Sequence, residues 1–220
     1  MVDGSARRRA ERVEVRRSRE RILAAVERLC ERGTAELTMS AVAREAGVGN
    51  ATLYRRFPDL RALLTALHEQ LMTQFDTIAL EIAKQPSGWD AVITAISGIA
   101  RTLIEHPAMP HVYRRLAQLD PEFSLGAQWD EPLAAVVAVA QGEGSLRADV
   151  DGNDIAIAAF RLGEFAHHPE PERSALVARQ LAITIDGLRA AAAVTPVPGR
   201  SIGREAIDQL IRLEGESATR

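Results

Sequence analysis

The chain contains a single cysteine, Cys30, among its 220 residues, so no disulfide can form within one chain and no four-thiolate metal site can be assembled. No apolar run reaches the roughly 18 residues that a membrane span requires. The first 21 residues also lack the apolar stretch of a secretory signal. These absences predict a protein of the reducing cytoplasm that has no membrane partner.

Sequence signatures of catalysis are missing as well. The chain has no G-x-S-x-G, no H-E-x-x-H, no glycine-rich phosphate loop and no paired-cysteine redox motif. We therefore expect no catalytic residues, no cofactor and no enzymatic activity. Glu164 and His168 lie four residues apart on one predicted helix face, and His106, His111 and His167 are further candidate neighbours, but these histidines lack a compact ligand spacing. A metal site is not predicted, because a polar lining for a ligand pocket explains the same residues.

Lysine is nearly absent, since Lys84 is the only one and almost every positive charge is an arginine. The net charge of -3 hides an asymmetry: residues 1–66 carry 14 basic and 9 acidic side chains, whereas the remainder carries 13 basic and 21 acidic ones. A basic first third on an acidic body indicates that this third faces a polyanion. Residues 1–16 are rich in arginine and poor in apolar groups, which predicts a flexible arm. Such an arm either follows phosphates or a minor groove, or is a solvated tail.

Apolar residues recur at three- and four-residue steps along most of the chain, and no strand-like alternation occurs. A first helix is predicted from Ser18. Thr38 is a suitable N-cap for a second helix, and a short third helix is predicted over residues 50–56. The two short helices are joined through Gly47, which permits a tight turn, so they are predicted to form a helix-turn-helix with the third helix exposed.

The remainder of the chain predicts further helices and a division into four parts. Leu60 to Ile82 carry one unbroken apolar stripe over about six turns, which indicates a long helix. Shorter helices are expected over 89–106, 111–118, 131–140, 154–167 and 174–190, and after Ser201. We expect a flexible arm (1–16), a helix-turn-helix domain (17–58), an effector-binding and dimerisation domain (59–195), and a proline-rich linker with a C-terminal helix (196–220).

One segment, residues 37–59, carries a specific resemblance. Its sequence, LTMSAVAREAGVGNATLYRRFPD, is similar to the DNA-binding signature of the tetracycline-repressor (TetR) family, and the similarity extends over residues 18–67. The resemblance implies an all-α homodimer with an N-terminal three-helix helix-turn-helix DNA-binding domain and a C-terminal helical domain for ligand binding and dimerisation. It further implies a bacterial transcriptional repressor that binds a pseudo-palindromic operator and is released by a small-molecule effector.

The resemblance also implies which residues contact double-stranded DNA. Tyr54 occupies the position where relatives place a hydroxyl against a phosphate, and Thr38 and Ser40 begin the second helix, where hydroxyl and N–H groups meet the backbone. Leu60 stands where many relatives have a lysine, so Arg61 is expected to replace that contact. The predicted DNA-contacting residues are Thr38, Ser40, Arg44, Gly49, Asn50, Ala51, Thr52, Tyr54, Arg55, Arg56 and Arg61, with Asn50, Thr52 and Arg55 the candidates for base edges.

Two further sets of residues are predicted in the C-terminal domain. Aromatic and polar side chains are candidates for lining an effector pocket, although each aromatic is also explained as ordinary core. This set is Phe75, Trp89, His106, Tyr113, Trp129, Phe160, Glu164 and His168. The second set has apolar faces that predict a four-helix homodimer contact, and it consists of Ile155, Ala159, Leu162, Val177, Leu181, Ile185 and Leu188. Two alternatives stay open: a DNA-binding protein or activator that has no effector, and an enzyme on an all-α fold.

Overall fold

The computed structural model describes residues 3–31, 37–124, 127–199 and 201–203, together with 206 and 209. These ranges contain nine α-helices and no strand, which confirms the predicted all-α fold class. The helices are α1 (Asp3–Glu31), α2 (Met39–Ala46), α3 (Asn50–Arg56), α4 (Leu60–Ile82), α5 (Gly88–Glu105), α6 (Met109–Leu119), α7 (Asp130–Gly142), α8 (Gly152–Gly163) and α9 (Glu172–Leu188).

The first three helices enclose a small apolar core. Among the described side chains of α1, Ser18 is the first that is buried, and Ile22 and Val26 continue the buried face toward the end of the helix. Leu53 of α3 and Phe57, which follows α3, contribute to the same core. One face of each helix is thereby removed from water, and the opposite faces stay available for contact with a partner.

The body of the molecule is built around α5. Its buried residues, which include Val92, Ile96 and Leu103, lie on several sides because α4, α7 and α8 all pack against it. The α4 helix runs for 23 residues, about 35 Å, from the helix-turn-helix along the body. This helix therefore connects the two parts of the chain as one continuous rod. In the part of the chain that the structure describes, no helix is both long and apolar enough to cross a membrane.

Residues 3–16, which the composition predicted to belong to a flexible arm, instead form the first part of the α1 helix. The segment is rich in arginine, glutamate and alanine, which are good helix formers, and Arg16 lies 3.5 Å from Glu20 across one helical turn. The apolar periodicity missed this extension because a solvent-exposed helix needs no apolar face.

The helix predicted over 154–167 is also shorter than expected. The α8 helix ends at Gly163, and Glu164–His167 form a 3-10 turn. Glu164 and His168 are both exposed and do not share a face of an α-helix. Of the helix predicted after Ser201, the structure describes only residues 202, 203, 206 and 209, and the first two are not helical.

The segment after α9 is fastened to the loop between α7 and α8. The Arg147 guanidinium donates a hydrogen bond to the carbonyl of Thr195 (2.7 Å), and the Asp149 carboxylate accepts one from the N–H of Val197 (2.9 Å). Hydrogen bonds from Arg147 and from that N–H hold the pKa of Asp149 well below its usual value. These contacts fix residues 195–197 against the body.

Candidate nucleic-acid interface

The turn between α2 and α3 is set by capping groups that the sequence predicted. The Thr38 hydroxyl accepts a hydrogen bond from the N–H of Ala41 (3.2 Å) and so caps the start of α2. At the other end, Gly47 has a φ of 65°, and the N–H of Val48 donates to the carbonyl of Ala43 (3.0 Å). This left-handed residue ends α2 and directs the chain into α3. The predicted limits of both helices are thus confirmed.

The α3 helix turns one side to the core and the other to solvent. Leu53 is its buried residue, and Thr52 is half-buried. The side chain of Tyr54 is 51% exposed, although a large aromatic ring with no other function is usually covered. The outward side of the helix consists of Asn50, Ala51, Tyr54 and Arg55.

The start of α2 adds hydroxyl groups that solvent can reach. Thr38 and Ser40 are exposed, and their hydroxyl oxygens lie 3.2 Å apart. Arg44 is exposed on the same helix, and Gly49 is exposed just before α3. Hydroxyls, first-turn N–H groups and guanidinium groups are the donors that proteins use against phosphate oxygens.

Substitutions at Gly47 and Gly49 are expected to have different effects on stability. A side chain at Gly47 is strained because of its positive φ, whereas Gly49 has a φ of -70° and open space where a Cβ would lie. We expect Gly47→Ser to lower the free energy of unfolding by about 1 to 2 kcal/mol. Gly49→Ser should leave stability unchanged or raise it slightly, because serine is the better N-cap. Urea denaturation of both variants tests this, and equal destabilisation would contradict the geometry.

Two arginines predicted to contact phosphates have hydrogen-bond partners within the protein. Arg56 donates from Nη1 to the carbonyl of Val15 (3.0 Å), and its Nε atom is buried. Arg61 donates from Nη2 to Asp120 (2.6 Å), which caps the end of α6. These partners lie 41 and 59 residues away in the sequence, so no local pattern could have indicated them. Both side chains are therefore engaged in contacts between helices.

The residues predicted to line an effector pocket occur in several different places. Phe75 packs edge-on against Trp129, with ring centroids 5.7 Å apart. Trp89 is buried at the start of α5, and the Arg189 guanidinium lies 4.4 Å from the centre of its ring. Each of these aromatic rings is thus in contact with a neighbouring side chain in the described part of the molecule.

The polar members of the predicted pocket are separated as well. His106, at the end of α5, lies 3.3 Å from Glu27 of α1, which connects the body to the first domain. Phe160 is half-buried on α8, whereas Glu164 and His168 are exposed after it. Among the described residues, no three histidine, cysteine, aspartate or glutamate side chains are placed to hold a metal ion.

Tyr113 belongs to an aromatic group that the sequence did not fully predict. His68 of α4 packs edge-on against Tyr113 (5.4 Å) and Phe123 (5.3 Å), and these two rings are stacked 6.4 Å apart. Burial raises the pKa of Tyr113 well above its usual value and lowers the pKa of His68 below 6.5. The His68 Nδ1 atom is buried and has no hydrogen-bond partner among the described residues.

A further polar contact lies one turn along α4 from His68. The amide of Gln128 approaches the sulfur of Met72 at 3.0 Å. Neither Met72 nor His68 was among the predicted pocket residues. The sequence did indicate that His68 is unusual. His68 lies four residues after Leu64 and therefore on the apolar stripe of α4, where a polar ring is not expected.

The predicted dimer residues on α8 are wrong. Ile155, Ala159 and Leu162 are buried within one chain, because α8 packs against α5 along this stripe. On α9, Leu181, Ile185 and Leu188 pack partly against the same core, and Val177 is half-buried. Periodicity showed that α8 has two apolar stripes, but it could not show which one faces the chain's own core.

The α9 helix nevertheless leaves apolar surface uncovered. None of its 17 residues is buried. Ile183 is 56% exposed, and Leu176 is half-buried without joining the core. The available apolar surface of α9 thus includes residues that differ from those predicted.

Comparisons with known proteins agree with this geometry. Residues 22–67 match the model for bacterial regulatory proteins of the tetR family. An uncharacterised HTH-type transcriptional regulator of Mycobacterium bovis is 30% identical over 120 residues, which are 53% of this chain and 62% of that protein. The chain thus spans about 62% of the length of the curated relative it matches.

Solved structures share the fold over most of the chain. FadR of Bacillus subtilis, determined with stearoyl-CoA, is 20% identical, has a TM-score of 0.57, and aligns with 77% of this chain and 98% of its own. A gamma-butyrolactone receptor described as ArpA-like is 22% identical, has a TM-score of 0.57, and aligns with 91% of this chain and 97% of its own. Together, these comparisons show that residues 22–67 match the DNA-binding region of tetR-family regulators and that most of the chain shares the fold of solved regulators of this kind.

Proposed function

We propose that the chain acts in the bacterial cytoplasm as a transcriptional repressor, and not as an enzyme, by binding a pseudo-palindromic operator as a homodimer. The observation that carries this proposal is the outward side of α3, where Tyr54 and Arg55 stand exposed beside the short side chains of Asn50 and Ala51. A short exposed helix of this kind fits the major groove. Its guanidinium and amide groups pair with base edges, and its hydroxyls bind phosphates.

A homodimer is proposed because α9 has no buried residue within one chain although much of it is apolar. Pairing α9 and the outward side of α8 with the same helices of a second copy forms a four-helix contact with two-fold symmetry. The two copies of α3 then meet successive major grooves, which lie about 34 Å apart.

Selection from random duplex DNA tests this function. The purified chain is incubated with duplexes that contain a random core of about 30 base pairs, and bound molecules are amplified and sequenced over several rounds. We expect one enriched sequence with two inverted half-sites whose centres are one helical turn, or a multiple of it, apart. Enrichment of a single unrepeated site contradicts the dimeric operator, and no enrichment contradicts sequence-specific binding.

We propose that a small molecule releases the repressor and that it binds beside His68, Tyr113 and Phe123. This group combines aromatic surface with an unpaired Nδ1 atom, and the burial that lowers the pKa of His68 keeps its ring neutral at pH 7. The fitting ligand is mostly apolar and has one group that can accept or donate a hydrogen bond. Two proteins of the same fold are described as binding small molecules, stearoyl-CoA in one and a gamma-butyrolactone in the other.

The contacts of α4 supply a route from this group to the DNA-binding helices. His68 lies two turns after Arg61, and Arg61 is bonded to Asp120 at the end of α6, the helix that also carries Tyr113. A ligand that moves α6 away from α4 therefore stretches the hydrogen bond between Arg61 and Asp120 at the start of α4. Because α4 is continuous, a small tilt changes the spacing of the two recognition helices. A coupling of about 1 to 3 kcal/mol corresponds to a change in operator affinity of roughly 5- to 150-fold.

Tyr113→Phe tests the location of the effector site, because it removes one hydroxyl and keeps the ring packing. We expect any compound that raises the melting temperature of the wild-type protein in a thermal-shift screen to bind this variant roughly 2- to 10-fold more weakly. Operator affinity without the compound should not change. Tyr54→Phe is the matched control, since the chain has two tyrosines and Tyr54 lies on α3. Unchanged compound affinity in Tyr113→Phe places the site elsewhere, and a screen without hits favours a repressor without an effector.

A further inference from the structure

The loop between α7 and α8 holds the end of α9 through the backbone. The N–H of Arg147 donates to the carbonyl of Leu188 (3.0 Å), and the N–H of Ala190 donates to the carbonyl of Ser145 (3.0 Å). These two hydrogen bonds form an isolated antiparallel bridge at Arg189. The last turn of α9 is thus attached to a loop that lies well before it in the sequence.

The side chain of Arg147 adds contacts to three parts of the chain. Its Nε and Nη2 atoms both donate to the carboxylate of Asp149 in the same loop. Its Nη1 atom donates to the carbonyl of Gly187 in the last turn of α9 (3.2 Å), and Nη2 also donates to the carbonyl of Thr195 beyond that helix (2.7 Å). Only 11% of the Arg147 side chain is exposed. We call Arg147 and Asp149 the clamp.

The clamp also holds the segment that follows α9, residues 190–199, which we call the strap. The Asp149 carboxylate accepts a hydrogen bond from the N–H of Val197 (2.9 Å). Just after the strap, the Ser201 hydroxyl donates to the carboxylate of Asp151 (2.8 Å), which caps the start of α8. The end of α9, the strap and the start of α8 are therefore joined by polar contacts from one loop.

Contacts at its two ends hold α9 in place, because the helix has little core of its own. None of its residues is buried, and only Leu181, Ile185 and Leu188 pack partly against the core. At its first turn, Arg173 donates to the carbonyl of Ala166 before the helix (3.3 Å). The α8 helix, by contrast, buries a complete stripe against α5. The direction of α9 relative to α8 thus depends on the polar contacts at its ends.

Arginine is the side chain that the clamp requires. The last carbonyls of a helix have no partners within that helix, and a guanidinium group offers five N–H donors in a fixed plane. Arg147 uses these donors to reach a carboxylate and two backbone carbonyls at the same time. A lysine ammonium keeps the charge, but it is a single point on a flexible chain and cannot hold these acceptors in the same arrangement.

We propose that the clamp positions α9 for its contact with a second copy of the chain, which makes Arg147 a positioning residue of the dimer although it belongs to neither α8 nor α9. This inference rests on the proposed function, since it needs the proposed homodimer. A four-helix contact requires that the two helices of each chain keep a fixed angle. Loss of the clamp changes the angle of α9 while α8 stays packed on α5. The dimer therefore weakens more than the fold of the single chain does.

The first test compares Arg147→Lys with Arg101→Lys. Arg101 lies 3.3 Å from Glu81 across α5 and α4, so the control also replaces an arginine of a contact between helices and also keeps the charge. The dissociation constant of the full-length dimer is measured by fluorescence-detected sedimentation over a dilution series. We expect it to rise roughly 10- to 100-fold in Arg147→Lys, because charge-assisted hydrogen bonds at the end of α9 are lost. It should stay within about threefold of the wild type in Arg101→Lys.

Trp89 provides a second measurement, which does not need the dimer. The Arg189 guanidinium, directly after α9, lies 4.4 Å from the centre of the Trp89 ring, and this ring is buried at the start of α5. The chain has two tryptophans, so Trp129→Phe leaves Trp89 as the only emitter. In that background we expect Arg147→Lys to shift the emission to longer wavelength, because the end of α9 moves and water reaches the ring. Arg101→Lys should cause no shift.

Circular dichroism and urea denaturation establish that each variant is folded. If Arg147→Lys does not fold, Asp149→Asn takes its place, since it weakens the clamp and keeps the arginine. A variant that matches Arg101→Lys in both measurements overturns the inference. So does a variant whose loss of folding stability is as large as its loss of dimer affinity, because the clamp is then only structural. If the wild type itself sediments as a monomer at every concentration, the proposed dimer is wrong and the inference fails with it.

Discussion

A chain that carries Leu176→Arg together with Ile183→Arg is expected to sediment at half the mass of the wild type. In the proposed dimer the two α9 helices face each other, so the substitutions bring four positive charges into one apolar contact without partners. The fold of each chain should persist, because Leu181, Ile185 and Leu188 still pack α9 against the body. Leu80→Arg is the matched control, since Leu80 is a large aliphatic residue that is 64% exposed on α4.

The same variant should bind the operator about 100-fold or more weakly than the wild type. A monomer contacts one half-site only, so it lacks the added affinity that comes from linking two recognition helices. Circular dichroism and urea denaturation verify that the monomer is folded. If the double variant still sediments as a dimer, the interface does not include this side of α9. If Leu80→Arg dissociates as well, the contact lies nearer the end of α4.

Arg55→Ala is expected to weaken operator binding by about 1 to 3 kcal/mol per half-site, and therefore by twice that amount for the dimer. The reason is that an exposed guanidinium on α3 can form a bidentate pair with a guanine, and alanine leaves that base edge without a partner. Tyr54→Phe should weaken binding to the operator and to an arbitrary duplex alike, because its hydroxyl is proposed to meet a phosphate. Anisotropy titrations on both duplexes distinguish the two effects.

Two controls keep this interpretation specific. Arg115→Ala removes an equivalent charge from α6 and should leave operator affinity within about 0.5 kcal/mol of the wild type. Tyr113→Phe removes the other tyrosine hydroxyl and should leave operator affinity unchanged in the absence of a compound. Wild-type affinity in both Arg55→Ala and Tyr54→Phe contradicts the assignment of α3 as the recognition helix.

Local patterns predicted the helices of the helix-turn-helix well. Thr38 and Gly47 determine the limits of α2 through hydrogen bonds to residues only a few positions away. A short stretch of sequence is therefore enough to predict where this helix begins and ends. The long α4 was predicted because its apolar stripe is unbroken from Leu60 to Ile82, and the helix spans these residues. These features depend on neighbours that are close in sequence.

The features that the sequence did not reveal depend on distant neighbours. Arg56 and Arg61 carry guanidinium groups, as phosphate-binding residues often do. Only the packing of α1 and α6 shows that these groups donate hydrogen bonds to Val15 and Asp120. The apolar stripe of α8 that contains Ile155 fits the pattern of a dimer interface as well as it fits the pattern of a core. Periodicity identifies that a face must be buried, but which partner covers it is decided by the packing of α8 against α5.

The decisive measurement compares the affinity of the wild-type chain for the selected operator with its affinity for the same duplex after both half-sites are scrambled, at one physiological salt concentration. A sequence-specific regulator binds its site on the order of 1,000-fold or more tightly than unrelated DNA, with two subunits per duplex. We expect that ratio and that stoichiometry, with the ratio falling in Arg55→Ala. Equal affinities for the two duplexes would show that this protein binds DNA only through its charge, and the proposed repressor function would then be wrong.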